Sequence, residues 1–268
     1  MKCTKGLIVK CTIRSMFYYK LSLYLMFSPL FLDDIKFMKL MHENVRKVKG
    51  HYEMPLPFRD PNDPPANNKV VALKRLRSLA SRFKRDSTHH ALYSKFMAEV
   101  LEQGYAELVP DEELGADVKA HYLPHHGVYN AAKPGKIRVV MDASSKFNGK
   151  SLNDCLLTGP DLMNSLIGVL CRFRKESVAF SCDIKGMFYQ FQVNPHHRNW
   201  LRFLWFKDGD FRSEIVTYRS TVHLFGAASS PAVANFGLKQ AAADGENKYG
   251  SDITKFIQNE FYVDDGCT

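Results

Sequence analysis

The 268-residue chain has no paired-cysteine signature. Its six cysteines, Cys3, Cys11, Cys155, Cys171, Cys182 and Cys267, are scattered, and none belongs to a CxxC pair. That excludes a zinc ribbon and a dithiol redox motif, and scattered thiols fit a reducing, intracellular compartment. A GxxxxGK[ST] loop is also missing, so an ATPase has no support. No uninterrupted apolar run reaches the ~20 residues of a membrane-spanning helix. The nearest, from Ser15 to Leu32, is interrupted by Lys20 and Pro29 and has no small-residue cleavage site after it. It reads as a poorly packed leader or an artefact of where the reading frame was opened. A signal anchor, and with it a membrane-tethered protein, is the weaker alternative. Internal repeats and low-complexity tracts are absent.

What is present is globular and basic. Hydrophobic residues make up 45% and charged residues 24%, which suits a packed core rather than global disorder. Lys and Arg outnumber Asp and Glu by 37 to 28, giving a net charge of +9. Such an excess suits a polyanionic partner such as nucleic acid.

A proline-rich stretch, PLPFRDPNDPPANN, reads as an extended arm and turn. From Lys69 to Arg85, Val70, Leu73, Leu76, Leu79, Ala80 and Phe83 recur at helical spacing. The remaining positions carry basic side chains, among them Lys74, Arg75, Arg77 and Arg82, with no acid between them. The stripe reads either as a solvated face or as a phosphate-facing surface. A second helix follows with Ser87 or Thr88 as N-cap, apolar through Tyr93, Phe96, Met97, Val100 and Leu101, and ends before Gly104. HHGVYN and Ile137–Met141 read as strands joined through Pro134-Gly135. Gly159-Pro160-Asp161 is expected to open a helix with Leu162, Leu166, Val169, Leu170 and Phe173 buried. LRFLWF and EIVTY flank Asp208-Gly209 as a hairpin. Ala227–Ala243 and Asp252–Gln258 read as helices. The order predicts an α+β fold, a sheet with helices on one side.

Two strands end in acids. In VAFSCDI, alternation puts Val178, Phe180, Cys182 and Ile184 on an apolar face. The lone Asp183 lies opposite, beside small Ala179 and Ser181. FYV runs into Asp264 and Asp265. If the two strands are neighbours, three carboxylates converge, and carboxylate oxygens suit Mg²⁺ bridging to phosphates. The histidines of YLPHH, His121, His125 and His126, look like a second metal cluster. Pro124 breaks the helix such ligation would need, so they read as scaffold.

FYVDD resembles the F/Y-x-DD signature of reverse transcriptases, and FSCDIKGMFYQ resembles their first acidic motif. From about His51 to Thr268 the chain resembles the polymerase region of Bel/Pao-type long-terminal-repeat retrotransposons. The matching blocks are HYEMPLPF, YLPHHGVY, KIRVVMDASSK, GKSLNDCLLTGPDL, DIKGMFYQ, RFLWF, FGAASSPAVA and FYVDD.

The resemblance implies an RNA-directed DNA polymerase joining a dNTP to a primer 3′-hydroxyl, with RNA or DNA as template. Its cofactor would be two Mg²⁺, with Mn²⁺ as alternative. Asp183 and Asp264 would be the main metal-binding carboxylates. Strand alternation says Asp264 and Asp265 cannot point the same way, which makes Asp265 the auxiliary acid. Lys136 and Arg138 would contact the triphosphate, and Phe188 would block the sugar 2′-hydroxyl. Phe225 and Gly226 would shape the nucleotide pocket; Phe225 stands where many retroviral relatives have glutamine.

The implied fold is a right-hand polymerase. Residues 1–40 form an untyped leader and 41–86 an arm with the basic helix. Fingers span 87–155 with 191–228, and an incomplete antiparallel palm spans 156–190 with 229–268. The resemblance also implies further palm, a thumb and RNase H after the DD hairpin. The chain therefore reads as a truncated piece of a polyprotein, with GCT too short to pair as a return strand. The remaining polyprotein domains or a partner chain would complete it, in the cytoplasm, in a particle or in the nucleus. The alternative is a catalytically inactive nucleic-acid-binding remnant of a mobile element.

Overall fold

The computed structural model describes residues 29–115, 119–129, 135–175 and 177–268; the leader before residue 29 and the turn signal at Pro134 lie outside them. The chain begins with α1 (Pro29–Asn44), which runs through the expected boundary at residue 40. It continues with β1 (Arg46–Val48), β2 (His51–Met54), α2 (Lys69–Phe83), α3 (Ser87–Glu102) and β3 (Ala106–Leu108). Next come β4 (His125–Tyr129), β5 (Ile137–Met141), α4 (Leu152–Cys155), α5 (Leu166–Phe173), β6 (Ser181–Asp183) and β7 (Phe191–Val193). The last elements are β8 (Arg202–Phe206), β9 (Ile215–Ser220), α6 (Ser230–Tyr249), α7 (Ser251–Asn259), β10 (Phe261–Tyr262) and β11 (Asp265–Cys267). The fold is mixed α+β, with small sheets in the orders β1-β2-β7, β3-β9-β8, β4-β5 and β10-β11-β6. Among the described residues no helix is long and apolar enough to cross a membrane.

Two buried clusters hold these pieces. The first joins α2 and α3 to β5 and to β8, whose five residues are all buried. Trp205 stacks on Tyr93 at 5.3 Å and meets Phe83 edge-on at 6.1 Å. The hairpin turn sits where expected, with Asp208 and Gly209 both at positive φ. The second cluster packs Phe37 and Met41 of α1 against Met54, Phe191, Val233 and Phe236.

Three local expectations are corrected. The N-cap of α3 is Asp86, whose carboxylate accepts from His89 N at 2.8 Å; an acid one residue earlier outcompetes the hydroxyls. The segment after Gly159 stays irregular, and α5 begins only at Leu166. Asp161 accepts from Met163 N in a local turn, and the Asn164 side chain donates to the carbonyls of Gln258 and Phe261. The Asp161 bond closes a local turn in place of a helical one, and Asn164 ties the segment to α7 and β10. Finally, only Ser181–Asp183 of VAFSCDI is strand, and Val178 and Phe180 are exposed. Of the stripe expected on α5, Val169 is buried, while Leu166 and Leu170 are largely exposed.

The histidines are scaffold. His121 bonds the Ala66 carbonyl, and His125 Nε2 lies 2.9 Å from the Leu204 carbonyl, so it donates. His125 Nδ1 then accepts from the Tyr93 hydroxyl. Desolvation lowers His125 and the equally enclosed His223 to about 4. The unfolded chain takes up these protons first as pH falls. Stability is therefore complete above about pH 6.5 and is lost toward pH 4, by about 2 kcal/mol per histidine at pH 5. Urea unfolding at about pH 7.5 and pH 5 will show this loss, and His125→Gln will lose less than the wild type. Identical pH dependence in the two proteins counts against it.

Candidate metal centre

The acidic site rests on one short ladder. β11 pairs antiparallel with β6 in the register Asp265↔Asp183, Gly266↔Cys182 and Cys267↔Ser181. Beyond it, Phe180 and Thr268 exchange both backbone bonds, at 2.6 and 2.9 Å. GCT, expected to be too short to pair fully, does form a short return strand: Gly266 and Cys267 lie with Asp265 in β11 between β6 and β10, and Thr268 bonds Phe180. Gly266 is required for this fit, since a Cβ there would lie 2.7 Å from the Phe261 ring and 2.8 Å from Cys182 Sγ. α5 and α7 brace the sheet. Arg172 pairs with Glu260 at 2.8 Å, and the Glu260 carbonyl accepts from Cys267 N at 3.0 Å.

β10 and β11 are joined by Val263 and Asp264, with Val263 at φ +59. The first central residue of such a two-residue turn takes positive φ, a place usually filled by glycine. The Asp264 carbonyl accepts from Ile184 N at 2.9 Å, which fastens the turn to the end of β6. Asp264 therefore lies in the turn and not in a strand. The alternation argument that separated it from Asp265 does not apply. Asp183, Asp264 and Asp265 each bring a carboxylate oxygen within 4.8 Å of the others. Asp183 and Asp265 are exposed, and Asp264 is half-buried.

Like charges directly opposed across a ladder repel. Among the described residues, no lysine or arginine pairs with these three carboxylates. Their oxygens are the hard donors that Mg²⁺ and Mn²⁺ take, so the set fits a divalent cation.

The residues expected at a nucleotide pocket separate into two groups. Arg138, on the exposed side of β5, lies over the Phe225 ring at 5.1 Å, and Phe225 meets Phe188 at 4.4 Å. Phe188 is carried by the turn after Gly186, which reaches positive φ. Gly226 follows Phe225 at φ +107. Lys136 stands apart, exposed just ahead of β5 and with no ion pair among the described residues. On α2, Arg75 approaches Asp142 at 3.4 Å, while Lys74, Arg77 and Arg82 are exposed and unpaired among the described residues.

Sequence reasoning missed Asn153. Its side chain donates to the Gly226 carbonyl and to Ser144 Oγ, both at 3.0 Å, and accepts from Ala228 N at 2.8 Å. The capping box of Ser151 and Asp154, which opens α4 around it, was the available signal.

No family model matches the chain, and no curated protein matches it. Among solved structures it is similar to a foamy viral protease-reverse transcriptase in complex with double-stranded DNA, at 16% identity and a TM-score of 0.43. That similarity covers 63% of this chain and 24% of the other, so the chain spans about a quarter of that protein's length.

Removing one charge will expose the repulsion. In EDTA, Asp265→Asn will melt about 1–4 °C above the wild type. Mg²⁺ or Mn²⁺ will raise the wild-type melting temperature and shift Asp265→Asn less. Equal gains in both proteins would place the cation elsewhere.

Proposed function

We propose that the chain is the fingers and palm of an RNA-directed DNA polymerase of the Bel/Pao retrotransposon type. The observation that supports this reading best is the convergence of Asp183 with Asp264 and Asp265, from segments far apart in sequence. A surface acidic turn has no need of a third carboxylate delivered by another strand.

In this reading, which takes its ranking from the sequence resemblance alone, Asp183 and Asp264 would be the principal ligands for two Mg²⁺, with Mn²⁺ as alternative, and Asp265 would assist. When bound, the ions neutralise phosphate charge and stabilise the attacking and leaving oxygens of the displacement. The primer 3′-hydroxyl attacks the α-phosphate of a dNTP, and pyrophosphate leaves. The protein's part is positioning and electrostatics, with no covalent intermediate. Arg138 offers paired donors to phosphate oxygens, and Lys136 contributes a point charge. The Phe188 ring occupies the space a ribose 2′-hydroxyl needs. Lys74, Arg75, Arg77 and Arg82 lie along template or primer.

A second reading, a nucleic-acid-binding protein without polymerase activity, draws support from the unpaired cations of α2. Extension of a primed RNA template with Mg²⁺ and dNTPs separates the two. Extension is expected in the wild type, at least 100-fold less in Asp183→Asn and Asp264→Asn, and a smaller loss in Asp265→Asn. Salt-sensitive template binding with no extension supports the second reading. Within an active protein, Phe188→Ala will raise ribonucleotide incorporation; an unchanged dNTP to rNTP ratio removes Phe188 from the gate.

A further inference from the structure

Phe225 cannot make the polar contacts of a glutamine, but its ring does something a glutamine cannot. The Arg138 guanidinium carbon lies 5.1 Å from the ring centroid, within cation–π range. The Phe188 ring packs against the same ring at 4.4 Å and a 54° tilt. Tyr189 meets it edge-on at 5.9 Å and is itself packed on Tyr105 at 4.7 Å. One half-buried ring thus touches both the expected sugar gate and the expected phosphate-binding arginine.

The backbone under Phe225 is fixed on two sides. Gly226 runs so close to β5 that a Cβ would stand 2.3 Å from the Met141 carbonyl oxygen, and at φ +107 only glycine is at ease. β5 also carries Arg138, so the ring and the cation it holds share one support. Asn153 grips the other side through the Gly226 carbonyl and the Ala228 amide.

We propose that Phe225 is a positioning residue that couples sugar selection to phosphate capture, by holding the Phe188 ring and the Arg138 guanidinium in fixed relation. The inference rests on the polymerase reading above. A ring that moved would loosen both contacts together. Free Arg138 would sample many rotamers, and Phe188 would tilt out of the space reserved against a 2′-hydroxyl.

The test uses the full chain with Mg²⁺ and two probes that differ only in the 2′-hydroxyl, dATP and ATP. The wild type is expected to bind dATP in preference to ATP. Phe225→Leu, which keeps apolar bulk but has no π face, will weaken dATP binding by about 2- to 5-fold and shrink the preference. Phe225→Tyr, which keeps the π face, will retain more of the dATP binding and of the preference than Phe225→Leu does. A direct reading needs no variant: the Arg138 Nε–H proton will be shifted upfield by the ring current of Phe225. An Arg138 signal at its unstructured position overturns the proposal even if Phe225→Leu fails to fold. A wild-type preference that survives intact in folded Phe225→Leu overturns this inference alone. No preference in the wild type counts against the polymerase reading and takes this inference with it.

Discussion

Two aspartates are held opposite each other across a backbone ladder, and the rest of the acidic site is built on that register. Like charges opposed in this way repel, although both carboxylates are exposed and water screens much of the cost. Asp183 and Asp265 cannot relax apart by sliding, because a one-residue slip would bring Asp183 opposite Gly266 and drive another side chain into the space Gly266 leaves. The register is pinned at both ends, by the Phe180–Thr268 exchange and by the Ile184–Asp264 bond. Repulsion fixed in place in this way is the electrostatic condition for holding a multivalent cation.

The side chains expected at the nucleotide pocket are carried by two separate cores. Trp205, Tyr93 and Phe83 lock the α2, α3 and β8 region, which carries β5 and hence Arg138. The α1 and α6 region forms the second core, and Phe188 and Val263 pack on its flank. The contacts of Phe225 with Arg138 and Phe188 therefore join a residue supported by one core to a residue supported by the other. This gives the aromatic group a structural reason to exist beyond filling volume.

Much of this was legible in the sequence, and each failure has its own physical cause. Patterns that bury their own face were read best: the β8–β9 hairpin forms around Asp208-Gly209 and the α3 stripe packs inward, whereas on α2 Leu76 and Phe83 are buried but Val70, expected on the same stripe, is exposed. Readings failed where a polar side chain claimed backbone groups. Asp86 displaced Ser87 as cap, and Asp161 took the Met163 amide in a turn ahead of α5, which begins at Leu166. The alternation that assigned Asp264 and Asp265 to opposite faces failed because periodicity cannot show where a strand stops. The turn begins at Val263, and a β-branched residue at positive φ is among the last that propensity would choose there. The contacts of Phe225 were invisible for a different reason, because they connect β5, the turn after Gly186 and the segment before α6.

Val263 links these themes. A valine at φ +59 stores strain of about 1–3 kcal/mol, which persists only where the surroundings over-determine the conformation. Here they do: its side chain packs against the second core, and the next carbonyl is held by Ile184 N. Glycine would remove the strain but would also loosen the turn that carries Asp264. Strain in the backbone and repulsion between side chains thus sit within the same few residues. The packing of Val263 and the Ile184 bond hold that turn, so the convergence of the three carboxylates is imposed by the fold rather than tolerated by it.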